Sequence, residues 1–103
     1  MRNETKATSI SRSVKLAVWL RDHEQCVVCD RPVHVSCACA HIVRRSQGGK
    51  GIEKNVVTLC PGCHRRYDEG GDYEKKKVME HILEFFPDWT REQVIYKKGV
   101  QND

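Results

Sequence analysis

The sequence predicts a small, single-domain α+β protein of 103 residues held together by a metal staple. Three observations carry this expectation. Two Cys-x-x-Cys pairs, Cys26/Cys29 and Cys60/Cys63, stand with 30 residues between them. Two short stretches rich in β-branched residues flank a glycine-rich loop, and apolar residues recur at helical spacing outside them. A chain of this length has room for one modest core, which is where an extra staple is most useful.

The elements follow in order. Residues 1–10 read as a flexible polar leader and residues 11–103 as one domain, with a core motif over 26–71 and C-terminal helices over 73–99. Residues 13–22 read as a helix with Val14, Ala17, Val18 and Arg21 on one face, Leu16 and Leu20 alongside, and Ser11 or Ser13 as its cap. Asp30-Arg31-Pro32 signals a turn. Residues 33–40 read as a strand leading to His41, residues 46–51 as a loop relaxed by glycines, and residues 55–59 as a second strand. Pro61 suits the first turn of a helix over 61–69 that stops at Gly70-Gly71. Residues 73–86 form the longest predicted helix, with Val78, Met79, Ile82, Leu83 and Phe86 as its apolar stripe. Thr90-Arg91-Glu92-Gln93 is a capping-box pattern opening a last short helix that ends at Gly99. The terminal helices read as core packing.

Composition narrows the function classes. Charged residues make up 31% of the chain and no stretch approaches the ~20 apolar residues of a membrane span. The polar N-terminal residues lack the apolar core of a secretory signal, so the expected setting is the cytoplasm, away from membranes. In a reducing compartment, cysteines serve metals more often than disulfides. The net charge of +4 is unevenly placed. Between His41 and Arg66 there are six basic residues against one acid, +5, while the remainder carries 12 basic and 13 acidic residues, −1. A polyanion such as DNA would favour that segment.

Each Cys-x-x-Cys turn aims two thiolates at one ion, and four thiolates in a tetrahedron match the preference of Zn²⁺. Cys26, Cys29, Cys60 and Cys63 are therefore the expected ligands of a structural zinc, whose closed shell leaves no place for water. Cys37 and Cys39 read as packing residues on one strand face.

From Cys39 to Asp68 the chain reads CAHIVRRSQGGKGIEKNVVTLCPGCHRRYD. With His41, Gly48-Gly49, Asn55 and His64 in this order, and a closing Leu-Cys-x-x-Cys-His, the segment resembles the HNH endonucleases, or ββα-metal nucleases, of the zinc-containing type. The resemblance implies a two-stranded hairpin and a helix around a catalytic metal. It implies His41 as general base, His64 as ligand of a catalytic Mg²⁺ or Mn²⁺, and Asn55 as the residue that locks the loop and orients His41. Chemistry agrees: histidine titrates near neutrality, and a divalent ion stabilises charge on a phosphate in transfer. Asp68, four residues after His64, shares its helical face and is a second candidate ligand of that ion. The family commonly has an Asp or His ligand just before the catalytic His, where this chain has Ala40. Cys39, in principle only, and Asp30, Asp68 and Asp72 are the alternatives for the missing donor.

Arg44, Arg45, Lys50, Arg65 and Arg66 are the expected phosphate-binding residues, which position nucleic acid without reading its sequence. Tyr67 stands between a phosphate contact and packing, and His23, His34 and His81 read as ordinary polar or packing positions. The expected activity is metal-dependent hydrolysis of DNA phosphodiesters, with nicking at low sequence specificity. The alternative is a zinc-stapled nucleic-acid-binding module that has lost catalysis, with Ala40 as its best argument. A homodimer would turn nicks into breaks; neither that nor a protein partner in a phage or bacterial setting is specified by the sequence.

Overall fold

The computed structural model describes residues 7–96. Helix α1, Arg12–Arg21, opens the body. Ser11 is its cap, accepting from the Val14 amide at 3.2 Å, because a serine hydroxyl satisfies a donor that the first turn leaves orphaned. Only Val18 of this helix is fully buried, and Leu16 and Leu20, expected beside the apolar face, are exposed.

A zinc-type knuckle follows α1. It is closed by a bridge between Gln25 and Pro32, with Asp30 in left-handed backbone at φ 64°. The long strand expected over 33–40 does not form. The His34 ring accepts from the Ser36 amide at 3.1 Å, and residues Val35–Cys37 wind into a 3₁₀ turn. This local side-chain cap competes with extended pairing and outweighs the β-branched Val33 and Val35. The strand is reduced to β1, Ala40–His41, paired antiparallel with β2, Val56–Val57; Ala40 faces Val57 and His41 faces Val56. Between them, Arg45–Gln47 form a 3₁₀ turn that ends at Gly48, φ 84°. Gly49 follows with its Cα so close to the Val43 carbonyl that an added Cβ would sit 1.7 Å from that oxygen.

Helix α2, Pro61–Asp68, and helix α3, Asp72–Phe85, lie within a residue of expectation. Gly70 at φ 89° makes the turn between them. Val78 and Ile82 of the α3 stripe are buried, Met79 and Phe86 are partly buried, and Leu83 is exposed. The capping box at Thr90/Gln93 forms and starts a 3₁₀ turn, Arg91–Val94, rather than a longer helix. The chain then leaves through a Gly49–Ile95 bridge, and the expected stop at Gly99 lies outside the described residues.

The sheet separates two small cores. Ala40, Val57 and Leu59 pack with Tyr67, Val78, Ile82 and the cysteine knuckle. Val56 packs on the other side with Val18 and Ala38, with Ile10, Val14 and Trp19 at the edge. Alternation along β2 sends successive valines to opposite sides, so two residues suffice to join both cores. Residues 7–10, read from the sequence as the end of a leader, lie against this body. Thr8 is 3% exposed, and the Gly51 amide donates to the Ala7 carbonyl at 3.0 Å.

Candidate functional site

Four sulfurs meet at the base of the domain. The Sγ atoms of Cys26, Cys29, Cys60 and Cys63 all lie within 4.8 Å of one another. Cys29 and Cys60 are separated by 3.7 Å, close to the roughly 3.8 Å edge of a tetrahedron with 2.3 Å zinc–sulfur bonds and far beyond a disulfide. Backbone amides turn inward: Val28 and Cys29 donate to Cys26 Sγ at 3.4 and 3.5 Å, and Cys63 donates to Cys60 Sγ at 3.5 Å. Such donors stabilise thiolates. Burial raises the Cys60 thiol, but the Cys63 amide and the neighbouring thiols override it and hold it down at about 7. The donor set fits a structural metal ion such as zinc. Its ligands tie the first knuckle to the start of α2, which carries His64. Cys37 and Cys39 stand outside this cluster.

A second group gathers over β1 and α2. An open cleft of about 360 Å³ is lined by Cys39, His41, Arg44, Arg45, Ser46, His64 and Asp68. His64 Nε2 and Asp68 Oδ2 are 3.4 Å apart, one helical turn from each other. His41 Nε2 lies 2.9 Å from the Thr8 carbonyl oxygen. A carbonyl only accepts, so Nε2 carries the proton and Nδ1 of the neutral ring is left as the basic lone pair. Burial lowers the His41 pKa below its ordinary value, the Thr8 carbonyl opposes this, and the charges of Arg45 and His64 add to the lowering.

Asn55 is fully buried, and its side chain bonds the loop backbone rather than the His41 ring. Its Oδ1 accepts from the Val43 amide at 2.8 Å, and its Nδ2 donates to the carbonyls of Val43 and Lys50 at 3.1 and 2.9 Å. All three bonds pinch together the ends of the loop that follows His41. The backbone completes the lock, since Ile42 donates to the Asn55 carbonyl at 2.8 Å. Tyr67 belongs to this framework rather than to a ligand: it is buried and its hydroxyl donates to the Ile42 carbonyl at 3.0 Å, joining α2 to the residue after His41.

Position 40 offers the cleft no donor. Ala40 is fully buried among Val57, Leu59 and Tyr67, so its side-chain direction belongs to the core. Among the alternatives, Cys39 and Asp68 line the cleft, and Asp30 and Asp72 do not. Among the described residues, the four cysteines are the group of three or more ligand side chains drawn together, leaving His64 and Asp68 as a pair. Of the basic residues, Arg44 and Arg45 line the cleft, and Arg44 also donates to the Asp68 carbonyl. Arg65 borders an adjoining hollow with His64 and Asp68. Lys50 is not in the cleft lining, and Arg66 is turned to Glu74 at 3.0 Å and to Cys63 Sγ at 3.3 Å, where it supports the cysteine cluster.

The sequence conceals other contributors. Thr8 acts through its backbone, which no residue type announces. Buried Asp22 accepts from Arg21 at 2.7 Å, from His81 at 2.7 Å and from the Thr58 amide at 2.9 Å, joining α1, α3 and the end of β2. Arg21 in turn donates to the carbonyls of Glu53 and Val56. His23 and His34 are exposed and belong to neither group.

One stretch of chain thus carries a strand histidine, a loop pinched by a buried asparagine, and a helix histidine set on a cysteine knuckle. Residues 26–70 match the HNH endonuclease family. The match covers less than half of the 103-residue chain. Over 46 residues, 45% of the chain, the sequence is 39% identical to a protein named Anaredoxin from Nostoc sp. (strain PCC 7120 / SAG 25.82 / UTEX 2576). That alignment spans 59% of the relative's own length. No solved structure matches the chain. Among the described residues, no helix is long and apolar enough to cross a membrane.

Proposed function

We propose that the chain is an HNH-type, metal-dependent endonuclease that hydrolyses phosphodiester bonds in DNA, nicking with low sequence specificity. The observation that carries this reading is the His41–Thr8 contact, which leaves Nδ1 as the basic atom of a neutral imidazole whose residue lines the same cleft as His64 and Asp68. A base must be unprotonated to take a proton from water, and the lowered pKa keeps it so at neutral pH. His64 and Asp68 would hold Mg²⁺ or Mn²⁺. An imidazole and one carboxylate fit an ion that keeps several waters, and such an ion supplies charge neutralisation at the phosphate and its leaving oxygen. Arg44 and Arg45 hold phosphate oxygens beside it, with Arg65 at the rim. Asn55 keeps the loop in register, so that His41 and the two arginines keep their places relative to α2. The cysteine cluster, filled with zinc, fixes the N-terminal end of α2 and with it His64.

One observation favours a second reading. Ala40 is committed to the core and contributes no donor, so a two-ligand ion site would suit a nucleic-acid-binding module without catalysis. Relaxation of supercoiled plasmid with Mg²⁺, Mn²⁺ or excess chelator separates the two, run beside His41→Ala of equal zinc content. Metal-dependent nicking lost in the variant supports the nuclease. Plasmid bound but never cut by the wild-type protein supports the binding module.

A further inference from the structure

We propose that a second cleft, sharing His41 with the first, is a subsite for the backbone phosphate next to the one being cut, with Lys15 and Arg45 as its cationic partners. This deepens the nuclease reading and rests on it. The second cleft, also about 360 Å³, is lined by Ser9, Ile10, Lys15, Cys39, His41 and Arg45. Cys39, His41 and Arg45 are common to both clefts. A strand that passes from one to the other therefore crosses the edge of the His41 ring.

The two clefts differ in charge. The first contains Asp68 and suits a cation together with an anion. The second has two cations and no carboxylate in its lining, so its chemistry is that of an anion site. Lys15 is half-buried on α1, and among the described residues no carboxylate pairs with it. Its charge reaches the Cys39 thiol, where it opposes the rise caused by burial, which places the ammonium near the shared wall. Arg45 is held only loosely, with 3.4 Å contacts to the hydroxyls of Thr8 and Ser9. An ammonium and a guanidinium that neutralise a DNA phosphate displace the counterions condensed around it. Lys15 and Ser9 lie outside residues 26–70, so this subsite is a feature of the N-terminal segment and not of the matched core.

The test is fluorescence anisotropy of a fluorescein-labelled DNA duplex, without added divalent ion, across a salt series. It uses the full chain loaded with zinc. For Lys15→Gln the slope of log K against log salt falls by about 1 in magnitude and affinity drops several-fold at low salt, as for loss of one phosphate contact. Lys15→Arg restores the slope. Lys76→Gln, an exposed lysine on α3 outside both clefts, keeps the wild-type slope. Equal slopes for Lys15→Gln and wild type overturn the subsite while leaving the nuclease intact, because plasmid cutting is scored separately. Absence of any DNA binding by the wild-type protein overturns both.

Discussion

Replacing Asn55 with alanine isolates what holds the loop that follows His41. The side chain is fully buried and makes three hydrogen bonds, to the Val43 amide, the Val43 carbonyl and the Lys50 carbonyl. Alanine leaves one donor and two acceptors without partners, each costing about 1–3 kcal/mol when buried. Water entering the vacated space recovers part of this, so the net loss is roughly 3–5 kcal/mol, a large part of the 5–15 kcal/mol typical of a domain. With a urea dependence of about 1–3 kcal/mol per molar, the midpoint falls by roughly 2 M. The measurement is urea unfolding followed by tryptophan fluorescence at constant zinc. Trp89 is a good reporter, because its indole donates to the Lys54 carbonyl at 2.6 Å, beside the substituted position. Asn55→Asp sharpens the test: it keeps the acceptor for the Val43 amide but sets a carboxylate oxygen against two carbonyls. It is therefore no more stable than Asn55→Ala at neutral pH. A loss below about 0.5 kcal/mol for Asn55→Ala, the scale of an ordinary surface change, would refute the argument that these bonds close the loop.

Four further outcomes follow from the same contacts. Removal of residues 2–9 takes away the Thr8 carbonyl and lowers nicking about a hundredfold, the scale of a misplaced catalytic group, whereas Thr8→Ala, which keeps the carbonyl, has a much smaller effect on the plasmid assay. Because the His41 pKa is lowered from its ordinary 6.5, the acid limb of kcat/KM lies below pH 6.5; a limb well above it speaks against His41 as the base. At Asp22 burial raises the carboxyl, and hydrogen bonds from His81 and Arg21 outweigh it, so the net shift is downward. Its contribution is thus complete above the ordinary carboxylate range and is lost as pH falls through the lowered value, so Asp22→Asn flattens the acid side of a stability–pH curve. Metal analysis of the purified protein gives one zinc per chain, and stripping it unfolds α2 as read by circular dichroism.

The helices and the cysteine cluster were legible because their signals are local. Ser11, Pro61 and Gly70 mark ends by backbone chemistry, and Cys-x-x-Cys turns need no distant partner to be recognised. The strand before His41 was overestimated because the cap at His34 is also local, yet its effect on Val35–Cys37 depends on which of two short-range preferences wins. His41 and His64, both singled out by the sequence, line one cleft, while the places of the charged residues around them were less legible. Arg66 looks like its neighbours Arg44 and Arg45 in sequence; only packing of α2 on α3 brings it to Glu74. Asp22 and His81 are 59 positions apart and share no motif, so their contact is a product of the tertiary fold alone.

The matched core does not build the site by itself. It supplies His41, Asn55, His64 and Asp68, yet the atom that sets the His41 tautomer belongs to Thr8, outside residues 26–70. The α1 helix is fastened to the core by Arg21, which donates to the Glu53 and Val56 carbonyls on the β2 side of the sheet. The segment before it is fastened by Gly51, where an added Cβ would lie 2.1 Å from the Ser9 carbonyl oxygen. Two points of attachment thus hold residues 7–21 across the His41 edge of the sheet. Gly51→Ala is the substitution that tells whether this matters for function, since it pushes Ser9 away while leaving Asn55, His64 and the cysteines unaltered in sequence. If the N-terminal segment organises the base, nicking falls in Gly51→Ala to about the level of the truncated protein while zinc content stays at one per chain. Full activity in that variant would mean that the core orients His41 without help.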